Sequence, residues 1–399
     1  SQVSDMRGRF SLRKVLVVVQ VALSFVALVG SGLFLRSLHN AQQIDPGFRT
    51  GNLALLSFNI DAQSYSQARG EAFYRQVLDR VDGLPGVRRA SLSTLLPLSG
   101  GGFMRTVFIE GQDAPATSNN GVLVMTNTVT PSYFETMGIP LKAGRRFGAT
   151  DIAGAPRAAI INETMAKKFW PTGDAVGHRF RFFGQNDPLE IVGVVADSKF
   201  GTLGENPVSC AYTAMAQAYS GQVSLEVWTS GDPSAELGTI RSVVQGLDPN
   251  LPLAGVSTMS QVLDQSLAAA RIGAITLGAF GLLALVLAAI GLYGVMAYLV
   301  TQRTQEIGVR MALGASAGDV RRMVVRQGMT LAIGGILVGV VAGLALAKAA
   351  SGLLYNVGAV DAPTFIVIPV LLAVVALAAT FVPAHRATRI DPLRALRYE

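Results

Sequence analysis

The chain has 399 residues, half of which are hydrophobic, while only 15% are charged. Soluble domains usually carry about 25% charged residues, so this composition argues against an ordinary soluble protein and predicts a membrane protein. The formal net charge is +7, but the basic residues gather at the ends of apolar runs. That distribution is typical of membrane proteins and argues against nucleic-acid binding, which needs a basic patch on one folded face.

Four apolar stretches are long enough to cross a bilayer as helices, for which about 20 mostly apolar residues are needed. They cover residues 15–35, 272–300, 329–354 and 364–383. The first follows a basic start, as a signal-peptide core would, but it is longer and ends at Leu35 and Arg36. Because a cleavage site needs small residues, we interpret this first stretch as a retained membrane anchor.

Lysine and arginine residues favour one orientation of these helices. Four basic residues precede the first stretch, five separate the second from the third, and four follow the fourth. Cytoplasmic loops are enriched in Lys and Arg, so residues 1–14, 301–328 and 384–399 are predicted to be cytoplasmic. Residues 36–271 then lie outside, as does the short loop of residues 355–363, which has neither Lys nor Arg.

Residues 36–271 are too many for a loop and predict a folded outer domain. Within them, residues 53–96 and residues 222–258 each show a strand pattern, an amphipathic helix, a break at Gly or Pro, and a second strand pattern. Two such β-α-β units predict a split ferredoxin-like sandwich, with residues 97–221 as a mixed α/β insertion. The predicted fold class is therefore four transmembrane helices plus an extracytoplasmic α+β domain.

The insertion and the end of the outer domain carry further local signals. Strand patterns recur within the insertion at residues 158–161, 180–182 and 190–195. Asn162 is placed to cap a short helix. Thr258 and Gln261 form a capping box that opens a helix to about Arg271. We hypothesise that this helix continues without a break into the second apolar stretch.

The sequence offers little that could carry catalysis. The three histidines, His39, His178 and His385, are far apart, and zinc motifs and nucleophile–base patterns are absent from the sequence. The glycine-rich run at residues 99–102 lacks the lysine of an ATP-binding P-loop, so we interpret it as a turn. Cys210, the single cysteine, is predicted to be a small buried residue. We expect no catalytic residues and no metal site in this chain.

The third apolar stretch carries a stripe of small residues. Gly335, Gly339 and Gly343 recur every four residues, which places them on one helix face and predicts close packing against another helix. The alternative is that glycine is simply frequent in membrane helices. Lys348 is the one charged residue in this stretch, and we expect its side chain to extend toward the outer membrane surface.

The segment between the second and third stretches is too polar for lipid and too rich in glycine for a core of its own. Its residues 303–316 read RTQEIGVRMALGAS. Ser316 and Asp319 resemble a capping box, and one helical face after it is predicted to hold Val320, Met323, Val324 and Gln327. One interpretation is a helix resting on anionic lipid. The closely spaced glycine and alanine residues favour contact with a shaped protein surface.

Several stretches of the sequence resemble one known family. QRTQEIGVRMALGAS and the ending PAHRATRIDPLRALRYE look like the MacB/FtsX-like permeases of ABC transporters. Three outer stretches are similar to the outer domain of MacB-type members: PSYFETMGIPLKAGRRF (131–147), INETMAKKFWP (161–171) and EIVGVVADSKFGTL (190–203). The likeness covers nearly the whole chain. It is closest to one half of the duplicated permeases, and a first residue other than Met fits a half or a processed chain.

This resemblance implies a multi-pass permease of the bacterial inner membrane that takes part in export or extrusion of a periplasmic substrate. Members use ATP hydrolysis to move their outer domains, so ATP and Mg would belong to a separate or fused ABC-type ATPase, and this chain would hold no cofactor. The resemblance implies ATPase coupling for eight residues: Glu306, Ile307, Gly308, Arg310, Met311, Leu313, Gly314 and Ala315.

The resemblance also implies partners. These are a second permease copy or a related half, membrane lipid, and a periplasmic adaptor at residues 97–221. Two alternatives stay open at this point. An FtsX-like regulator of periplasmic enzymes would use the same machinery without transport, and nothing in the sequence separates it from an exporter. A transmembrane sensory receptor would need a cytoplasmic output module, for which neither tail is long enough.

Overall fold

The computed structural model describes residues 2–100, 102–110, 121–313, 315–349 and 361–388, without the side chains of residues 2–13 and 312. The chain folds into two compact units. We call Ser1–Gln43 together with Ala268–Glu399 the membrane unit, and Ile44–Leu267 the outer unit.

The described part of the chain contains ten α-helices. In chain order they are α1 (Gln2–Gln42), α2 (Gln67–Asp82), α3 (Tyr133–Met137), α4 (Glu163–Phe169), α5 (Pro233–Leu247), α6 (Met259–Ser266), α7 (Ala268–Gln302), α8 (Thr304–Ala312), α9 (Ala317–Ala349) and α10 (Ala362–Ala387). Four of them, α1, α7, α9 and α10, are long and apolar enough to cross a membrane. The predicted set of four transmembrane helices is thereby confirmed.

The spanning helices extend beyond the apolar stretches that mark them in the sequence. Helix α9 begins at Ala317, well before residue 329, because its charged first turns continue the same helix. An apolar run marks the part of a helix suited to lipid, not the ends of its hydrogen-bond ladder. The predicted positions 350–354, 355–360 and 389–399 lie outside the described residues.

Within the membrane unit, α1 and α10 each pack against both α7 and α9. Two buried clusters lie along the bundle. One surrounds Phe25 and Leu372. The other, which we call the α8 cluster, contains residues of all four spanning helices and of α8, among them Val17, Met296, Ile307, Val320 and Ala384.

The outer unit contains eleven described strands in one connected sheet. They are β1 (Leu53–Asn59), β2 (Val87–Ser93), β3 (Phe103–Ile109), β4 (Val122–Val129), β5 (Leu141–Gly144), β6 (Ala158–Asn162), β7 (Arg179–Phe182), β8 (Leu189–Val195), β9 (Cys210–Ala214), β10 (Gln222–Thr229) and β11 (Leu253–Thr258).

Four of these strands form a ferredoxin-like sandwich. Their order is β11-β1-β10-β2, every pair is antiparallel, and α2 and α5 connect the strands of the two β-α-β units. The helices start at N-caps whose side chains accept backbone hydrogen bonds, Ser66 for α2 and Asp232 for α5. Alternating residues of the strands, such as Leu56, Phe58 and Leu225, fill the buried core. The predicted split ferredoxin-like arrangement is confirmed.

The inserted residues form a small closed barrel. Strands β4, β3, β7, β8, β6 and β9 pair in this order, and β9 pairs back with β4, so each has a neighbour on both sides. Closure removes the exposed strand edges of an open sheet. Among the described strands, the barrel joins the ferredoxin-like sheet through the pairing of β2 with β4, at Ser93 and Val129.

The two mouths of the barrel differ. Val107, Phe180 and Phe182 fill its interior. At one mouth β6 leads directly into α4, whose Met165 belongs to the same buried cluster. At the opposite mouth β3, β6 and β8 begin while β4, β7 and β9 end, as the strand directions require. We call this second end the open mouth.

The helix that opens at the capping box does not continue into the second span. Thr258 and Gln261 form the predicted reciprocal hydrogen bonds. Helix α6, however, ends at Ser266, and α7 begins at Ala268. Leu267 between them has φ −92° and ψ −5°, outside the usual α-helical angles. The hypothesis of one unbroken helix is therefore wrong.

Candidate functional site

The polar segment between α7 and α9 folds as a short helix followed by a turn. Arg303 separates α7 from α8 with φ −104° and ψ 17°. The hydroxyl of Thr304 then donates to the carbonyl of Val300 at 3.1 Å. At the start of α9, Ser316 Oγ accepts from the Asp319 N–H and the Asp319 carboxylate accepts from the Ser316 N–H, both at 3.2 Å. The predicted capping box is confirmed.

One face of α8 is buried in the membrane unit. Ile307 is 1% exposed and belongs to the α8 cluster, where it meets residues such as Leu299 and Val324. Met311 packs against the same cluster, and Gly308 is buried. These three residues anchor α8 to the ends of the spanning helices.

The opposite face of α8 is exposed and partly apolar. Leu313 is 83% exposed, and Val309, one turn earlier, is 40% exposed. Residues four apart are neighbours on a helix surface, so the two side chains form a continuous apolar ridge. We call Val309 and Leu313 the α8 ridge.

An ion pair lies beside the α8 ridge. Arg310 Nη2 and Glu306 Oε1 are 2.6 Å apart, and Arg303 is 3.8 Å from the same carboxylate. Arg310 Nη1 also donates to the sulfur of Met323 on α9 at 3.2 Å. Exposed pairs of this kind contribute only about 0–1 kcal/mol to stability. Their effect here is to hold the Arg310 guanidinium in place between α8 and α9.

The structure separates the eight residues for which coupling is predicted. Exposed are Glu306, Arg310 and Leu313; buried or half-buried are Ile307, Gly308, Met311 and Ala315. Gly314 lies outside the described residues. Val309 is missing from the predicted set, although its four-residue spacing from Leu313 could have revealed it.

The glycine stripe of α9 lies against α1. It contains Gly335, Gly339 and Gly343, all buried. A Cβ on Gly335 would be 2.6 Å from the Cβ of Val21, and one on Gly339 would be 2.7 Å from the Cβ of Phe25. Neighbouring Gly334 has no atom within 4 Å of the same position. The stripe thus lets α1 and α9 approach more closely than any side chain would permit.

The acidic, histidine and cysteine side chains of the described ranges were the candidates for holding a metal ion. No group of three or more His, Cys, Asp or Glu side chains there could hold a metal ion. Cys210 is fully buried in β9, in agreement with its predicted role, and burial raises the pKa of its thiol.

Four spanning helices, a large outer unit inserted after the first, and an anchored α8 with an exposed ridge define a multi-pass membrane protein. Residues 278–392 match the FtsX-like permease C-terminal family, and residues 15–246 match the MacB-like periplasmic core domain. The chain therefore belongs to the MacB/FtsX-like family of ABC transporter permeases, as its motifs predicted, and its outer unit is a periplasmic domain.

Individual relatives are distant. The macrolide export ATP-binding/permease protein MacB of Neisseria gonorrhoeae is 26% identical over 309 residues, which cover 71% of this chain and 46% of that protein. The uncharacterized ABC transporter permease YknZ of Bacillus subtilis is 27% identical over 68% of this chain and 70% of its own length. The chain spans about half the length of the MacB relatives it matches.

Two solved structures match part of this chain. The periplasmic region of MacB from Actinobacillus actinomycetemcomitans matches with a TM-score of 0.37 and 13% identity, covering 58% of this chain and 97% of that one. The extracellular domain of the ABC-type transporter YknZ from Gram-positive bacteria matches with a TM-score of 0.34 and 15% identity, covering 52% and 97%.

Proposed function

We propose that this chain is the non-enzymatic permease subunit of an ABC-type transporter. ATP hydrolysis by a partner ATPase moves its periplasmic domain, and this mechanotransmission exports or extrudes a periplasmic substrate. The observation that carries the proposal is the α8 ridge, an exposed apolar surface on a helix whose other face is anchored in the bundle.

The proposed orientation places α8 and both termini in the cytoplasm. Basic residues support it, because Lys and Arg concentrate in cytoplasmic segments. Five arginines lie on α8, α9 and the break before them: Arg303, Arg310, Arg321, Arg322 and Arg326. The α8 ridge then faces the compartment that supplies ATP.

The chemistry of the ridge suits a protein partner better than water. Burying a leucine side chain at an interface contributes about 1.5–3 kcal/mol, which corresponds to about 10- to 150-fold in affinity. The Glu306–Arg310 pair beside the ridge supplies charged groups for the polar rim of such an interface.

Motion of α8 has a route into the bundle. Ile307 shares the α8 cluster with residues of all four spanning helices, and packed interiors transmit displacement because they hold few voids. Contact between α9 and α1 along the glycine stripe extends this route. Since α1 and α7 are the helices whose chains continue into residues 44–267, the proposal couples α8 to the periplasmic domain through them.

The proposed assembly contains further components. Besides the ABC-type ATPase, which would hold ATP and Mg, it includes a second permease copy or a related half. Membrane lipid surrounds the exposed apolar faces of the spanning helices, and a periplasmic adaptor contacts residues 97–221. These partners follow from the family resemblance and are part of the proposal.

The test is to co-express the chain with candidate ABC-type ATPases and measure co-purification and ATP hydrolysis in lipid nanodiscs. Leu313→Asp places a charge on the ridge, so we expect it to abolish co-purification and to lower ATPase turnover at least tenfold. Leu313→Ala should weaken binding about tenfold, because it removes apolar area alone.

Arg326→Ala is the matched control. Arg326 is exposed on α9, and its replacement should leave binding and turnover unchanged. The proposal fails if no ATPase binds the parent chain, or if Leu313→Asp binds and supports turnover like the parent.

A further inference from the structure

The open mouth of the barrel contains a cleft that the proposed function does not use. Its volume is about 480 Å³, within the range of about 300–1,000 Å³ found for small-molecule sites. Its lining includes Phe103, Arg105, Thr126, Arg157, Phe182 and Thr213. Barrel mouths are among the places where ligand sites occur most often.

Two arginines line this cleft without a carboxylate partner. The guanidinium carbon of Arg105 lies 3.9 Å from the ring centroid of Phe182. Arg157, just before β6, donates to Gln185 Oε1 at 2.8 Å. Among the described residues neither arginine forms an ion pair. The cleft therefore presents two positive charges and no compensating negative one.

The two charges interact unfavourably. Burial and, second, the charge of Arg157 lower the pKa of Arg105. Two like charges close together in a partly dehydrated site destabilise each other's charged form, whereas an anion between them stabilises the charged form of both. Stacking on Phe182 explains the position of Arg105, but it does not explain why Arg157 shares the same cleft.

The rest of the wall is neutral and partly apolar. Phe103 is 67% exposed at the rim. The Thr128 and Thr213 hydroxyls bond to each other at 2.8 Å, and Thr126 Oγ1 donates to the Phe103 carbonyl at 3.0 Å. These three hydroxyl groups are thus already partnered, so the charged groups in this wall are the two arginines.

A larger neighbouring cleft of about 810 Å³ shows the contrast. There Arg179 is paired with Glu190 at 3.3 Å, and Asp187 adds another negative charge. Arg157 lines both clefts. With it counted, the larger cleft has two arginines and two carboxylates, so its charges balance and it does not select for one sign of ligand.

We propose that the open mouth of the barrel binds a small organic anion, such as a carboxylate, sulfonate or phosphate ester carried on an apolar body. The anionic group lies between Arg105 and Arg157, and the apolar body packs against Phe103. This site is separate from α8, so its failure and the failure of ATPase coupling are distinguishable.

The proposal is tested by calorimetric titration of the full chain, in nanodiscs of zwitterionic lipid. The two ligands are 1-naphthoate and its neutral analogue 1-naphthamide. Heats measured with empty nanodiscs are subtracted. We expect 1-naphthoate to bind at least tenfold more tightly. Arg105→Ala and Arg157→Gln should each weaken the binding of 1-naphthoate at least tenfold and leave the affinity for 1-naphthamide unchanged. Unchanged binding of 1-naphthamide also shows that the variants are folded. Arg179→Ala, in the neighbouring cleft, should bind both probes like the parent.

Three results would overturn the proposal. The first is equal affinity of the parent for the two probes, or no binding of 1-naphthoate. The second is parental affinity for 1-naphthoate in both arginine variants. The third is inorganic phosphate binding as tightly as 1-naphthoate, because the apolar wall would then contribute nothing.

Discussion

The outer unit and the membrane unit are packed by opposite means. In the outer unit, large rings fill the core: Phe134 is fully buried, with ring centroids of Tyr133 and Tyr212 at 5.5 and 4.9 Å. In the membrane unit, α1 and α9 approach each other closely where Gly339 has no side chain. Water drives apolar groups into the outer core, but lipid is as apolar as the helices, which therefore associate through close packing.

Buried polar groups differ between the two units as well. In the outer unit, the Glu226 carboxylate is fully buried and accepts hydrogen bonds from Ser91 and Ser93 on the neighbouring strand. In the membrane unit, the buried hydroxyl of Thr380 donates to the carbonyl of Ala376 in its own helix. The Glu226 carboxylate can be buried because the neighbouring strand supplies two donors to it.

The largest expected effect concerns Glu226. Burial raises the pKa of its carboxyl from 4.5 to about 8, although hydrogen bonds from Ser93 and Ser91 lower it. Between these values the folded state holds a proton that the unfolded state lacks, so stability falls as the pH rises from about 5 to about 8, by at most ~5 kcal/mol. In Glu226→Gln this loss should disappear. Hydrogen exchange of outer-unit peptides, measured across this pH range, checks it.

Glu110→Gln is the control for this experiment, since Glu110 is exposed. It should keep the parental pH profile. A parent profile that is flat between pH 5 and 8, or a Glu226→Gln profile as steep as the parental one, would contradict the expectation.

A somewhat smaller effect is expected from removing a large core residue of the outer unit. Phe134→Ala leaves a cavity and should lower the free energy of unfolding by about 3–5 kcal/mol. Phe103→Ala, at a position that is 67% exposed, should change it by less than about 0.5 kcal/mol. Denaturant unfolding followed by hydrogen exchange in the outer unit measures both. Equal losses would show that the aromatic core does not carry the stability of this unit.

The smallest of the three effects on stability is expected from adding a side chain in the membrane unit, the reverse of removing one from the outer core. Gly339→Leu inserts a side chain where a Cβ alone would be 2.7 Å from Phe25, so we expect a loss of about 1–3 kcal/mol from overpacking. Gly334→Leu adds the same side chain where nothing lies within 4 Å and should be tolerated. Thermal unfolding in detergent compares the two variants. Indistinguishable midpoints would show that the packing of α1 against α9 does not depend on the glycine stripe.

Features with a local cause were predictable from the sequence. The β-α-β units have caps and breaks close in sequence, and the glycine stripe has a fixed spacing. The barrel strands β3, β4 and β9 were not predicted. The pairing of β4 with β9 is distant along the chain, since Met125 pairs with Cys210. Strand β9 is also buried on both faces, so it lacks the alternation that reveals a half-exposed strand.

The candidate site shows the same limit. Ile307 and Val309 are similar apolar residues two positions apart, yet Ile307 is 1% exposed and Val309 is 40% exposed. The sequence identifies the segment, but which face of α8 is buried depends on how α7 and α9 pack around it. Consequently the predicted set contains both anchoring residues and exposed ones and does not include Val309.

Photo-crosslinking from position 313 tests most directly whether α8 contacts an ATPase. Benzoylphenylalanine would be incorporated in cells in place of Leu313 and, as a control, in place of Leu346, an exposed residue near the other end of α9. We expect an adduct with an ABC-type ATPase from position 313 and none from position 346. An adduct from position 313 with a periplasmic protein, or no ATPase adduct there, would contradict the proposed coupling.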